Sequence, residues 1–359
     1  MSDPIPSSLT VYLSNACNLS CSYCYVAVNQ GPAAALDFSR LREGVDYFLA
    51  RAPREGRKIS LLGGEPLRDF PLLRHVVEHI RTEAAPTLPV HLFTNGLLLD
   101  AERLAFLGDH DVDVTVGFGG GAVAMSAPVR AALRAPTPRL GASVVVTPAS
   151  VGTFLGHVDF LYRAGLRRIS FSPDVRALWT EQDAMRLRAA LTGLRHYYGA
   201  LIRNGAELFE VANIYEALAQ TLGGRDEGAF PCDRLILAAD GRFYACDKLF
   251  GAPLDDIASL SVGSPRSELD APRRLAFIQE ALDAARDILG PSSGVGCPAG
   301  VHSLWRVGAD RSAQGLRERM RSFGRVSQMV RGGLLDLANE FKENEVFRRT
   351  HHLLRQPDS

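Results

Sequence analysis

Short apolar runs alternate with longer stretches of helical periodicity through the N-terminal part of this chain. Leu9–Ser14, Lys58–Leu62, Val90–Thr94, Asp113–Phe118, Ala142–Thr147 and Arg168–Ser172 are β-branched or leucine-rich. Each is bounded by Gly, Pro or polar turns, which predicts strands. Helical spacing of apolar residues fills the gaps at Phe38–Ala52, Phe70–Ala84, Ala101–Leu107, Pro128–Ala135, Val151–Ala164 and Glu181–Asn204. Asp69 and Thr180 stand where N-caps belong. Strand–helix alternation of this kind implies a parallel sheet, whose buried strands read as continuous apolar runs such as Val144-Val145-Val146. Right-handed crossovers allow an open doubly wound sheet or a barrel, complete or partial. In both, ligands bind at the carboxyl ends of the strands.

The pattern changes after residue 205. Leu235–Ala239 and Arg242–Cys246 flank an Asp240-Gly241 turn and read as a hairpin. A helix is predicted near Ala271–Ile288, followed by a Pro/Ser/Gly stretch from Gly290 to Gly296. The tail from Ala313 to Leu354 is helical and carries Arg317, Arg319, Arg321, Arg325 and Arg331. These changes divide the chain into 1–205, 206–310 and a tail at 311–359.

With 359 residues, 46% of them apolar, the chain can bury a substantial core in one large domain or two ordinary ones. A formal net charge of zero gives no electrostatic footprint for nucleic acid. The first ten residues lack the basic and apolar regions of a signal peptide, and no apolar run is long enough to span a membrane. Six cysteines without a signal peptide point to a reducing cytoplasm.

Those cysteines fall into two groups. Cys17, Cys21 and Cys24 directly follow the first predicted strand, spaced C-x3-C-x2-C. Three thiolates on one loop can hold three irons of a [4Fe–4S] cluster, leaving the fourth iron open for chemistry. A zinc site would ordinarily pair two C-x2-C knuckles or add histidines, and the nearest histidine is His75. A disulfide framework would need a secreted context. The second predicted strand ends in Gly63-Gly64-Glu65-Pro66. Two glycines let a ligand approach the backbone, Glu65 can accept from an ammonium group, and Pro66 stiffens the exit.

The cysteine run followed one βα unit later by Gly63–Pro66 resembles the radical S-adenosylmethionine (radical SAM) superfamily. Thr94-Asn95-Gly96, after the third strand, is similar to what many members carry there. The resemblance implies a partial (β/α)6 TIM-like barrel over about residues 8–205. It also implies that Cys17, Cys21 and Cys24 ligate a [4Fe–4S] cluster whose open iron is chelated by S-adenosylmethionine. Tyr23 would pack near the adenine, and Gly63, Gly64, Glu65 and Pro66 would form the methionyl-amine site. Reductive cleavage would then give a 5′-deoxyadenosyl radical that abstracts hydrogen, with the electron coming from a flavodoxin- or ferredoxin-type reductant. One departure stands out. Many relatives have a Ser-x-Asp-Gly-like turn after the fourth strand, and here the stretch is Gly117-Phe118-Gly119-Gly120-Gly121. It reads equally as a cofactor contact through backbone amides and as a lid or simple turn.

Cys232, Asp240-Gly241 and Cys246 form C-x8-G-x4-C, which resembles the opening of SPASM and twitch extensions. With Cys297 these make three cysteines, too few for two auxiliary clusters and suited to one, in a small α+β twitch-like extension. The fourth ligand could be His302, Asp233, Asp247 or a substrate group; the alternatives are three unrelated cysteines or a zinc site with His302. Asp247 follows Cys246 as in anaerobic sulfatase-maturating enzymes, where an aspartate is a proposed base; the plainer reading is a surface aspartate. Trp179 and Trp305 read as packing residues, His351-His352 as a solvated helix end, and the arginine-rich tail as a solvated face or a site for an acidic partner.

The resemblance implies a maturase that oxidatively modifies a ribosomally made peptide by crosslink, thioether or side-chain oxidation. The first strand begins within ten residues of Met1, so a separate leader-peptide-binding protein or the tail would recognise the leader. Alternatives are a small-molecule radical SAM dehydrogenase or epimerase, and a non-catalytic iron–sulfur electron carrier. The last is disfavoured because a carrier needs no amino-acid pocket.

Overall fold

The computed structural model describes residues 5–27, 37–119, 127, 130, 140–214, 217, 232–290 and 298–351. The predicted alternation is present. Strands β1 (Ser8–Tyr12), β2 (Lys58–Leu62), β3 (Val90–Thr94), β4 (Val112–Gly119), β5 (Leu140–Val146) and β6 (Arg168–Pro173) fall within two residues of expectation at each end. Helices α1 (Phe38–Arg51), α2 (Phe70–His79), α3 (Ala101–Asp109), α4 (Phe154–Arg163) and α5 (Glu181–Arg203) lie between or after them. The helix expected at 128–135 lies almost wholly outside the described residues. Both expected caps form. Asp69 accepts from the Leu72 N–H, and Thr180 makes a capping box with Asp183.

Among the described residues the strands build a nine-stranded sheet in the order β7-β6-β5-β4-β3-β2-β1-β8-β9. Strand β7 is Glu210–Val211, β8 is Arg234–Leu237 and β9 is Phe243–Tyr244. All pairings are parallel except the β8–β9 hairpin. The extension is therefore continuous with the barrel sheet, because β8 runs beside β1 with Ser8 level with Arg234 and Val11 level with Leu237.

The period of two along strands sorts residues to the two faces. Val11, Leu237 and Phe243 face outward onto α1, where a Cβ on Gly44 would lie 2.3 Å from Leu237 and the Tyr47 and Phe243 rings are 5.2 Å apart. Tyr12, Ile236 and Tyr244 take the inner face. There Phe250 packs edge-on to Tyr12 at 4.5 Å and to Tyr244 at 5.4 Å. Phe250 belongs to a 3-10 turn, Asp247–Gly251, so the extension folds over the inner side of the first strand.

Three further helices are α6 (Ala271–Leu289), α7 (Pro298–Val307) and α8 (Ala313–Phe341), and a short α9 (Glu345–Thr350) ends the described chain. The arginine-rich tail is thus a packed helix with one apolar face. Leu316, Met320, Phe323, Val326, Val330, Leu334 and Leu337 are buried, largely against α5. The arginines take the other positions, as the 3.6-residue period requires. Gly333 permits the crossing, since a Cβ there would meet Leu191 at 2.9 Å. His351 departs from expectation. It is fully buried rather than solvated, its Nδ1 bonded to the Phe347 carbonyl and its Nε2 accepting from the Val211 N–H at 3.1 Å. That ring occupies the backbone donor of edge strand β7, which a solvated position would leave to water.

The inner row Thr10, Ser60, His91 and Asp113 runs level across β1 to β4. His91 contacts Thr115 Oγ1 at 2.7 Å, and burial, with Arg168 and Lys58 nearby, pushes its pKa from 6.5 down to about 4. A depressed histidine stabilises the fold only while neutral. The contribution is present above pH 6.5 and is lost as pH falls toward 4. The expected loss is roughly 3 kcal/mol over that window. Urea unfolding of the metal-free protein should show it, and His91→Gln, which keeps a partner for Thr115, should remove that part of the acid sensitivity.

Candidate active site at the carboxyl ends of the strands

The cysteine loop leaves β1 and is pinned where it crosses the strand ends. The Gly64 N–H donates to the Ser14 carbonyl at 2.8 Å and the Glu65 N–H to the Ala16 carbonyl at 2.9 Å, so the glycine motif is stitched to the loop's approach. A Cβ on Gly63 would lie 2.7 Å from the Ser14 oxygen, and one on Gly64 2.3 Å from the Ala16 oxygen. Only glycine allows this backbone contact. The Arg68 guanidinium, from the turn after the motif, donates to the Cys17 carbonyl at 2.9 Å. Asn95, from the exit of β3, donates to Asn18 Oδ1 at 2.7 Å. Arg176, beyond β6, donates to the carbonyls of Ser22, at 3.5 Å, and Cys24.

The three thiols are half-buried on this one loop, with a turn closed by the Cys24 N–H and the Cys21 carbonyl at 3.0 Å. Burial pushes the Cys17 and Cys24 thiols up, against the pull of nearby N–H groups. The cationic core of a bound cluster would supply the charge that burial withholds. Among the described residues no three His, Cys, Asp or Glu side chains group closely enough to hold one ion. A cubane takes its thiolates at separate corners, and three cysteines on one clamped loop fit that donor set. Tyr23 lies over the end of β4, where a Cβ on Gly119 would strike its ring at 2.5 Å. Residues 117–119 are thus the last of a strand rather than a turn, and Gly119 is small because Tyr23 fills its place. Gly120 and Gly121 lie outside the described residues.

Glu65 is 1% exposed. Its Oε1 accepts from the Leu67 N–H and the Thr94 hydroxyl, and its Oε2 from the Asn95 N–H, at 2.8–3.0 Å. Burial raises its pKa, with those donors opposing. A carboxylate offers about four lone-pair positions. Among the described residues three donors fill three of them, so Glu65 locks the exits of β2 and β3 together. Pro66 begins the turn at Pro66–Asp69 and is buried.

The second cysteine group is only partly described. Cys246 is 5% exposed and Cys232 half-buried, and Cys297 lies outside the described residues. The hairpin pairs Ile236 with Tyr244. Cys246 lies two residues beyond that pair on one strand and Cys232 four residues before it on the other. Helix α7, which starts at the residue after Cys297, packs along Asp247–Gly251. Of the candidate fourth ligands, Asp233 is held by the Ser7 N–H, at 2.7 Å, and by the Ser7 hydroxyl. His302 is buried with Nε2 at 3.3 Å from Glu280, while its buried Nδ1 has no hydrogen-bond partner among the described residues.

Asp247 is no surface aspartate. Its Oδ2 accepts from the Tyr25 hydroxyl at 2.8 Å and from Lys248 Nζ at 2.9 Å, while Oδ1 faces the Cys246 thiol at 3.9 Å. The Tyr25 hydroxyl also meets that of Tyr12 at 3.0 Å, and the Lys248 ammonium sits 3.5 Å from the Tyr25 ring centroid. Burial pushes the Asp247 carboxyl up, but Lys248, Arg234 and the hydrogen bonds outweigh it and hold it below its ordinary value. Burial keeps both tyrosines neutral. The chain thus joins Tyr25, one residue after Cys24, to Asp247, one residue after Cys246. Sequence reasoning missed Tyr12, Tyr25, Lys248, Arg68 and Arg176. Tyr25 could have been flagged by its place beside Cys24, whereas nothing local to Arg176 marks it. Trp179 is a packing residue, as expected, buried with its indole N–H on the Asp174 carbonyl.

Residues 11–137 match the family model described as the Radical SAM superfamily. The chain is 24% identical over 307 residues to a serine-type anaerobic sulfatase-maturating enzyme of Klebsiella aerogenes, covering 77% of this chain and 75% of that one. Its fold is similar to native anSMEcpe with bound AdoMet and Cp18Cys peptide, at a TM-score of 0.69 and 18% identity, covering 93% of this chain and 99% of that one. It is also similar to Streptococcus suis SuiB bound to precursor peptide SuiA, at a TM-score of 0.51 and 16% identity, over 69% and 61% of the two chains. Residues 11–137, which carry the cysteine loop and strands β1 to β4, thus match the Radical SAM superfamily model, and the mostly parallel sheet with its helical C-terminal region has a fold similar to that of anSMEcpe.

Proposed function

We propose that this chain is a radical SAM enzyme that oxidises a residue of a peptide substrate. The observation that carries the reading is the Tyr25–Asp247 hydrogen bond, which holds a half-buried carboxylate beside the cysteine loop. Relatives in sequence act in sulfatase maturation, and relatives in fold have been solved with peptides bound.

Cys17, Cys21 and Cys24 would hold the first cluster, and Gly63, Gly64 and Glu65 the methionyl amine. When bound, these groups supply a carbon-centred radical that removes a hydrogen atom from substrate. The backbone of 63–64 offers acceptors to the ammonium group. Tyr23 supplies a flat apolar face over Gly119 for a base to stack on. Asp247 takes the substrate proton on Oδ1, the oxygen that Tyr25 and Lys248 do not use. Cys232, Cys246 and Cys297 would hold a second cluster, which supplies an electron acceptor. A flavodoxin- or ferredoxin-type donor would provide the starting electron.

Anaerobic reconstitution with iron and sulfide counts tests the cofactor assignment. Cys232, Cys246 and Cys297 changed together to Ala should lose about four irons, and the same change at Cys17, Cys21 and Cys24 about four more together with all SAM cleavage. Coexpression with short neighbouring reading frames, read by mass spectrometry, tests the substrate. A peptide lighter by a hydrogen pair is expected, and unaltered peptides throughout would remove the reading.

A further inference from the structure

We propose that Arg68 and Arg176 form a clamp that grips both ends of the cysteine loop and, by its charge, makes the bound cluster easier to reduce. The proposal rests on the iron–sulfur reading of Cys17, Cys21 and Cys24, not on any substrate.

The two arginines come from opposite sides of the sheet end. Arg68 lies in the turn after β2, which Glu65 fixes by accepting from the Leu67 N–H at 3.0 Å. It reaches the carbonyl of Cys17, the first loop cysteine. Arg176 lies in the turn after β6. That turn is seated by the Asp174 N–H on the Val146 carbonyl at 2.8 Å, by Asp174 Oδ1 accepting the Arg176 N–H at 2.8 Å, and by the buried Trp179. Its guanidinium reaches the carbonyls of Ser22 and Cys24, the last loop cysteine. Among the described residues neither guanidinium has a carboxylate within ion-pair distance. Both guanidinium groups donate to loop carbonyls, and the Arg176 charge also pulls down the Asp174 carboxyl beside it.

Reduction adds one electron from a low-potential one-electron donor and breaks no bond. A [4Fe–4S]2+ core with three thiolates carries one net negative charge, and the reduced form carries two. Fixed cations favour the second state over the first. Both arginines are exposed, so water and salt screen them. Each is expected to shift the ratio of reduced to oxidised cluster at a fixed potential by about fivefold, with the two factors multiplying, as distant sites do.

The test is an EPR-monitored redox titration of reconstituted full-length protein, following the signal that changes on adding SAM. Wild type is compared with R68M, R176M, the double variant and R176K, after iron counts establish equal loading. The expected result is normal iron, a shift to more negative potential in each Met variant, a larger shift in the double, and recovery in R176K. Met variants that titrate as wild type would overturn the proposal, as would R176K titrating like R176M. If a Met variant fails to load iron, R68Q and R176Q, which keep a neutral N–H donor on the side chain, replace it. A more negative potential then sustains the proposal and an unchanged one sinks it. A protein that titrates as expected but alters no peptide would leave the clamp standing and remove the peptide reading.

Discussion

Gly64→Ala should abolish SAM cleavage while leaving every cysteine in place. The new methyl would lie 2.3 Å from the Ala16 oxygen, 2.6 Å from its carbonyl carbon and 2.9 Å from the Asn15 oxygen. These are backbone atoms and cannot rotate aside as a side chain would. The segments must part, and the Gly64–Ser14 and Glu65–Ala16 hydrogen bonds between them must lengthen. The cysteine loop and the backbone proposed to bind the methionyl amine are then misaligned. Displacements of about 1 Å in a positioned site cost about a hundredfold in rate, so 5′-deoxyadenosine formation should fall by at least that factor. Gly156→Ala, where nothing lies within 4 Å of the added carbon, is the control and should cleave SAM as wild type does. Wild-type turnover in Gly64→Ala would show that the contact between motif and loop is dispensable.

Asp247→Asn should separate the two halves of the reaction. The amide oxygen can still accept from Tyr25, so the link to the loop survives, but the group no longer takes a proton. SAM cleavage should stay within about threefold, whereas oxidised peptide should fall by about a hundredfold or more, the range for losing a general base. The measurement is the ratio of product to 5′-deoxyadenosine. A ratio equal to that of wild type would deny Asp247 a chemical part. Equal losses of both would make it a residue that only supports the loop.

The strands and most helices were legible because parallel βα units advertise themselves. Val144-Val145-Val146 has no polar alternation to confuse, and Asp69 and Thr180 cap where their side chains predict. The cysteine loop and the glycine motif were legible because their chemistry depends on local spacing. The clamp was not. Arg68 and Arg176 are separated from the carbonyls they hold by 51 and 152 positions, and nothing in either neighbourhood records the meeting. The same holds for Asp247, whose partner Tyr25 lies 222 positions away, and for His351, which reads as a polar helix end until the edge of β7 is laid against it. The Glu65 carboxylate was read as a ligand group; that three protein donors already claim it follows only from the register of β2 and β3.

The place of β8 beside β1 bears on how this protein is made. β1 leaves the ribosome more than two hundred residues before β8, and its five residues are all buried. One of its two neighbours arrives only with Arg234–Leu237. Until then the nascent barrel presents an open, apolar strand edge, the kind of surface that recruits other chains. Synthesis at a few residues per second leaves that edge bare for many seconds. A barrel cut off near residue 205 would keep the exposed edge permanently. The extension is thus as much a folding partner of the first strand as a carrier of cysteines, and fragments made for study should keep the two together.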